Sequence, residues 1–553
     1  MSSSTSPTSV PLPSIQVLGA VAVAAFLLYR LLRIGSREKF LPPGPPTIPL
    51  LGNIHIFPTS LAYHKMSEWN RQYGDIYSLK IGSGTVVVIG SAQAVYEVFD
   101  KNSGLTADRP PNHFVDIVTE GYHLVLSHYG SIWRNMRKGA HEILTLKSAI
   151  HHRPIQDAES VQLMYELLTQ PANFFDSVRR FSMSVILSVT FGKRAPRITT
   201  KELLAFFEMH PHWERLLFPG QYAPVDFLPF LKYVPERFAA WKKDCKMVKK
   251  MQEDLYFGLM EETKHRLERK GEENGCYMET VIKKADEWGY NYQMVGHLGG
   301  TLVEAGSDTT SSFTQTLILA LTAFPDVQKK AHAELDRVVG QDRMPTYEDY
   351  EHLPYIRAIV NEVHRFRPNA PLIPRRAQDD VFYKGYRIPK GATIVENLYG
   401  LFHDPEVYDD PERFWPDRFI LSEFGTKKAL EKDPGRRNNL AFGSGRRICA
   451  GYHVGSYSTA INTMNLLWSF DFLPAKDAHG VERYPDIFNY AEALASFPNP
   501  FECVIRPRTP AHATMIKRAF VDHIPDFQRY EHDISPEDKA FTDALRAEVK
   551  KSL

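Results

Sequence analysis

The first informative pattern lies near the N-terminus, where residues 10–29 hold no charged side chain and 17–28 are almost wholly apolar. About twenty helical residues span roughly 30 Å, the thickness of a bilayer core, so 14–34 is read as a transmembrane anchor. Two short stretches, 76–90 and 381–395, alternate apolar and polar residues around Gly82-Ser83-Gly84, Lys384-Gly385 and Pro389-Lys390-Gly391. Alternation interrupted by glycine predicts small β-hairpins. Elsewhere apolar residues recur at helical spacing, and 131–146, 235–270, 294–324, 354–366 and 452–468 are expected to be helices, with Pro235 at a first helical position. There are no tandem repeats and no strand–helix alternation, so the expected fold is mainly α with a minor β portion.

Arg30, Arg33, Arg37 and Lys39 follow the apolar stretch and no Lys or Arg precedes it. The positive-inside rule then makes 1–13 a lumenal tail and places the body in the cytosol, and a cleaved signal peptide fits poorly without a basic n-region. Pro42-Pro43-Gly44-Pro45-Pro46 makes 35–48 a stiff proline-rich hinge that spaces the body from the membrane. The body is expected over 49–509. The closing stretch, 510–553, is polar and charged, with Ser535 capping a helix that has Pro536 at its first position. It reads as a surface extension, a solvated tail.

Charge and cysteine usage narrow the classes. Lys plus Arg number 66 and Asp plus Glu 65, a net charge of +1 that gives no reason for a nucleic-acid partner. Cys245, Cys276, Cys449 and Cys503 are too scattered for a disulfide framework or a zinc site and fit a reducing compartment. One of them stands in a distinctive loop, Phe442-Gly443-Ser444-Gly445-Arg446-Arg447-Ile448-Cys449-Ala450-Gly451. Its glycines allow a tight turn, and the expected helix after Gly451 puts Cys449 just before a helix N-terminus. That dipole end and a nearby arginine favour a thiolate, a good axial ligand for iron.

The spacing of Phe442, Gly445, Arg447, Cys449 and Gly451 resembles the signature loop of the cytochrome P-450 family in all five fixed positions. The resemblance implies a haem b held between a long distal helix and this proximal loop, with Cys449 ligating the iron, Phe442 packed beneath the haem near the sulfur, and Arg447 on a propionate. Further motifs follow in the family's order. Ala305-Gly306-Ser307-Asp308-Thr309-Thr310 sets polar residues inside an apolar helical stretch, a local conflict that marks functional sites. By resemblance Gly306 opens room for O2, Thr309 hydrogen-bonds the iron-bound oxygen and Asp308 relays protons. Glu362 and Arg365 share one helix face, and with Arg418 of Pro416-Asp417-Arg418-Phe419 they would form a buried structural triad, Asp417 standing where the family more often has Glu. Trp133 and Arg137, with Arg375 as a weaker candidate, would bind propionates.

The resemblance covers about residues 40–508 and is strongest to membrane-bound microsomal members, with a flavour of fungal secondary metabolism. It implies a monooxygenase of the endoplasmic reticulum membrane that uses O2 and takes electrons from NADPH-cytochrome P-450 reductase, with cytochrome b5 as a further partner. The chain after Gly451 is too short to hold flavin and nicotinamide domains. Apolar and aromatic residues such as Phe206, Phe207, Trp213, Phe218 and Phe497 in the expected pocket segments favour a lipophilic small molecule. Two rival readings stand beside this one: a haem-thiolate isomerase or peroxygenase, against which the Asp308–Thr309 pair argues, and a haem or lipid carrier without turnover.

Overall fold

Along the chain the helices that frame the site are α1 (Ile15–Leu32), α2 (Ser131–Ile143), α3 (Arg153–Thr169) and α4 (Phe174–Phe191). They are followed by α5 (Lys201–Leu217), α6 (Ala240–Gln252), α7 (Tyr292–Ala323), α8 (Pro354–Phe366) and α9 (Tyr452–Ser469). Last come α10 (Pro510–Asp522), α11 (Ile524–Gln528) and α12 (Pro536–Lys551). The computed structural model describes residues 15–553 apart from Pro219, Phe227, Lys270, Glu431, Glu492 and Leu494. The long apolar stretch becomes α7, 32 residues, about 48 Å of helix, capped by the Asn291 side chain, which accepts from the Met294 N–H. Small residues let its neighbours come close. A Cβ on Gly306 would lie 2.5 Å from Ile186 of α4, so Gly306 is a packing contact and does not open onto the site.

Nine strands are described. β1 (Ile76–Ile81) and β2 (Gly84–Ile89) form the expected antiparallel hairpin; β2 then pairs in parallel with β6 (Thr393–Asn397), which pairs antiparallel with β3 (Leu372–Arg376). β4 (Val381–Tyr383) and β5 (Tyr386–Ile388) form a second hairpin. Its two-residue loop, Lys384 at φ +46° and Gly385 at φ +80°, has the left-handed backbone that matches strand twist. β7 (Phe470–Lys476) lies between β8 (Glu482–Arg483) and β9 (Cys503–Pro507). The mainly helical expectation with minor sheets is met.

Four expectations change. The 235–270 stretch is not one helix: Pro235 is extended (ψ 145°), α6 starts at Ala240, and a π turn at Glu253–Phe257 leads into a further helix, Gly258–Glu268. The proline-rich hinge is tied to the body, since Arg37 donates to the carbonyls of Pro42, Pro45 and Ser78 and Asn53 donates to that of Pro46. At the N-terminus the expected lumenal tail lies outside the described residues. α1 has 18 residues, about 27 Å, and holds its apolar side chains outward, with Val21, Phe26 and Leu27 about 60% exposed. No helix among the described residues is long and apolar enough to cross a membrane.

A fourth change concerns 510–553, which is not a solvated tail. Ile516, Phe520, Phe527, Tyr530 and Val549 are buried in the main core. Buried arginines of the body meet acids of this segment: Arg194 with Glu531 (2.8 Å), Arg266 with Asp533 (2.6 Å), while half-exposed Arg197 reaches buried Asp538 (2.5 Å). The polar average hid apolar residues one turn apart, Ile516 and Phe520, that make a core-facing stripe. The Ser535 cap forms as read, accepting from the Asp538 N–H. Truncating Phe527 to alanine should therefore cost about 3–5 kcal/mol and lower the thermal midpoint of unfolding; an unchanged melting curve would return the segment to the status of a tail.

Candidate functional site

The cysteine loop is held from both ends. Gly443 (φ +83°) and Gly445 (φ +54°) have left-handed backbone, and a Cβ on Gly445 would strike the Phe99 carbonyl. Asp100 accepts from the Gly445 N–H (2.8 Å) and pairs with Arg437 (2.9 Å), whose other arm reaches Ser444 Oγ. The Cys449 N–H donates to the Phe442 carbonyl (2.9 Å), closing the loop just before α9. The Phe442 ring lies against Tyr452 and against His364 of α8, which in turn touches Phe313 of α7.

Cys449 is exposed, although burial pushes its thiol pKa up against the opposing pull of the Gly451 N–H and Arg137. The side chain faces open space. The Gly451 N–H and Arg137 favour the thiolate as expected, desolvation opposes them more strongly, and a bound metal ion deprotonates such a thiol. On α7 most positions around the motif are occupied. Gly306 meets Ile186, Ser182 of α4 donates to the Gly306 carbonyl, and the Glu304 and Asp308 side chains turn to α5. Ala305 and Thr309, one turn apart, are exposed amid these half-buried neighbours. They lie on the side where Asn369 donates to the Thr309 carbonyl (2.9 Å) and where Phe313, a turn further, contacts the His364–Phe442 stack. A gap therefore runs between this face of α7 and the cysteine loop.

Its rim is cationic. Arg447 donates to the carbonyls of Ala107, Leu124 and Ser127, and lies over the Trp133 ring at 4.1 Å. Burial first, and then repulsion from Arg109, Arg375 and Arg137, pushes its pKa down to about 8. Arg109 is pushed down to about 9, again by burial and then by Arg375. Arg375 reaches the Ser444 carbonyl and Glu396, while its Nε and Nη1 have no partner among the described residues. Arg137 donates to the Ile448 carbonyl beside Cys449 (2.6 Å). Four guanidinium groups around one gap, short of acids, are unfavourable unless anions meet them. A thiol below, a gap, and cations at the rim fit a haem with its two propionates.

Of the expected propionate residues, Arg137, Arg375 and Arg447 come together. Trp133 does not join them through its N–H, which donates to the Leu124 carbonyl (2.8 Å), so its ring supports Arg447. Arg109 was not anticipated; its sequence signal was only an arginine before Pro110-Pro111 in an expected lining segment. Phe206 and Trp213, expected in the pocket, are core residues, 0% and 1% exposed. Glu304, His123 and His210 were also missed, although an acid one turn before Asp308 on an apolar helix was a visible clue. Thr309 donates its hydroxyl to the Ala305 carbonyl (2.8 Å), and Asp308 lies 2.7 Å from His210 Nε2.

The triad is assembled. Glu362, wholly buried, accepts from both Arg365 Nε (2.7 Å) and Nη2 (3.0 Å), from Arg418 Nε (3.2 Å) and from the Trp415 N–H (2.7 Å). Asp417 pairs with Lys330 (2.5 Å) at the surface and stays out of the triad.

The family model for cytochrome P450 matches residues 42–488. A cytochrome P450 monooxygenase of Armillaria gallica is 42% identical over 509 residues, 92% of this chain and 97% of its own length. The monooxygenase ple5B of Rhodocybe pseudopiperita is 37% identical over 525 residues, 93% of this chain and 99% of its own. Among solved structures, a zebrafish cytochrome P450 with progesterone superimposes with a TM-score of 0.66 over 81% of this chain and 99% of its own, which at 23% identity shows the fold alone.

Replacing Glu362 by alanine leaves two buried guanidinium groups without their carboxylate, at a cost of about 3–5 kcal/mol. The variant should be recovered with little haem, read from the ratio of Soret to protein absorbance; a normal ratio would show that the triad does not hold the site.

Proposed function

The chain belongs to the cytochrome P450 family, and from that premise we propose that it oxidises a lipophilic small molecule in fungal secondary metabolism with electrons from a separate NADPH-dependent reductase. It is an oxygen-incorporating oxidoreductase that uses haem and O2. The thiolate-ligated haem, when bound, supplies the activation of O2 and the transfer of one oxygen atom. The observation that carries the reading is the Cys449 thiol facing the gap opposite Ala305 and Thr309, with the arginines at its rim.

In this reading Cys449 Sγ would ligate the haem iron, and Arg109, Arg137, Arg375 and Arg447 would hold the propionates. Thr309 is the residue nearest the oxygen chemistry. Its hydroxyl, by rotating from the Ala305 carbonyl, holds a proton on the gap side of α7, and Asp308 on the preceding position replenishes it. Exposed Arg134, Lys138 and Arg446 support docking of an acidic reductase, with cytochrome b5 as an alternative occupant of that face. The fungal origin of relatives such as patI of Penicillium expansum, 33% identical over 94% of this chain, supports the metabolic setting.

The outward apolar side chains of α1, with Arg30 in its last turn and Arg33 just after it, support anchoring in the endoplasmic reticulum membrane with the body cytosolic. Phe230, Tyr233 and Phe238, 64%, 87% and 71% exposed, offer a second apolar contact.

Two outcomes are expected. Thr309→Val keeps the side chain's shape and removes its hydroxyl, so haem content should stay normal while peroxide rises at the expense of product for each NADPH consumed; an unchanged ratio would make Thr309 a helix residue only. Removing residues 1–34 should move part of the protein from the membrane pellet to the supernatant, the remainder held by the second patch, and a full-length chain found wholly in the supernatant would refute the anchor.

A further inference from the structure

Two acids one turn apart, Glu304 and Asp308, join α7 to α5. Glu304 accepts from Trp213 Nε1 (3.1 Å) of α5, from Gln252 Nε2 (3.2 Å) at the end of α6 and from Tyr256 OH (2.8 Å) in the π turn, and lies 2.9 Å from His123 Nε2 in the loop before α2. Every donor is in place, and Glu304 is a structural hub. Asp308 differs. Its Oδ2 lies 2.7 Å from His210 Nε2. Successive residues of a helix are turned by about 100°, so Asp308 faces α5 while Thr309 faces the gap. His210 is stacked on Phe206 (centroids 4.9 Å apart, planes 19° apart) and precedes Pro211, which lacks an N–H for the Phe207 carbonyl. The His210 ring is therefore fixed in place, yet its Nδ1 has no partner among the described residues.

We propose that His210 is a positioning residue for proton delivery: Nε2 holds the Asp308 carboxylate and returns a proton to it, so that His210 and Asp308 act as one unit. The inference rests on the role given above to Asp308 and Thr309. In the transfer the Nε2–H bond breaks, an O–H bond forms on Oδ2, and an imidazolium–carboxylate pair becomes a neutral imidazole and a carboxylic acid. The acid passes its proton toward Thr309, and the imidazole recovers one from solvent.

The groups facing His210 favour its charged form. Glu214 on α5 lies 3.7 Å from Nε2, Asp308 and Glu304 face it from α7, and His123 and Tyr256 stand behind Glu304. Burial opposes the charge, but the hydrogen bond to Asp308 and the charges of Asp308, Glu214 and Glu304 outweigh it and push His210 up to about 9 from 6.5. A raised folded pKa contributes stability that is full below the unfolded value and lost as pH rises through the folded one. His210 is therefore charged at neutral pH and loses its charge near pH 9.

The test uses the haem-loaded full chain with a microsomal NADPH reductase, following NADPH consumption without added substrate. His210→Phe keeps a ring over Phe206 and removes both nitrogens; His210→Gln, which donates but cannot carry a proton, serves if the Phe variant fails to load haem. Asp308→Asn and His210→Phe should each slow consumption about tenfold, within the range of general acid catalysis, and the double variant should be no slower than Asp308→Asn alone. Multiplying effects would reduce His210 to a packing residue and overturn the proposal. Wild-type consumption should fall as pH rises through about 9, and its melting temperature should fall with it, while His210→Phe lacks both transitions; matching profiles would also overturn it. If Asp308→Asn slows the enzyme and His210→Phe does not, this inference alone fails. If Asp308→Asn matches wild type, the role of Asp308 fails and His210 falls with it.

Discussion

Glu362 sets the frame for the haem-binding half of the molecule. Its carboxylate is shared by Arg365, Arg418 and the Trp415 N–H, and each arginine turns its remaining donors to backbone: Arg365 to the carbonyls of Phe402 and Pro411, Arg418 to those of Asp409 and Asp410. The 402–418 stretch has little regular structure to satisfy its carbonyls, and buried carbonyls must find donors. Two guanidinium groups supply them only because one acid holds both in place. An irregular segment is thereby fixed, and with it the approach to the cysteine loop.

What the sequence made legible were features confined to short windows. Glu362 and Arg365 share a face at a three-residue spacing, α8 came out with its observed bounds, and the glycine loop around Cys449 announced its turn. What it hid were contacts between distant windows. Arg109 joins the rim because a loop before α2 passes beside β3. His210 meets Asp308 across two helices nearly a hundred residues apart. Trp133 was misjudged because its spacing from Arg137 was right while its N–H was taken by a backbone carbonyl, which no pattern reveals. Gly306 looked like an opening because glycine is small; the same smallness let Ile186 fill the place.

The two faces of α7 divide the site by charge. Toward α5 the acids Glu304 and Asp308 have donors within the protein. Toward the cysteine loop the arginines outnumber their acids, Glu396 and Asp108, and burial with mutual repulsion drives the pKa values of Arg447 and Arg109 down. Only an anionic group relieves that side.

The acids that complete the body's buried arginines lie 337 and 267 residues downstream of them, and this sets an order of events during synthesis. Arg194 and Arg266 leave the ribosome long before Glu531 and Asp533. Until then Arg194 has Glu159, and Arg266 has Glu279, as their acidic neighbours, and the apolar bed for Phe527 lies open. Domains tend to fold as they emerge, N-terminal parts first, but here the α3–α4 layer closes only after residues 527–549 have followed. A premature stop before residue 527 would remove few catalytic groups, yet it would leave a nascent chain with open core surface, a form that chaperones and proteases recognise.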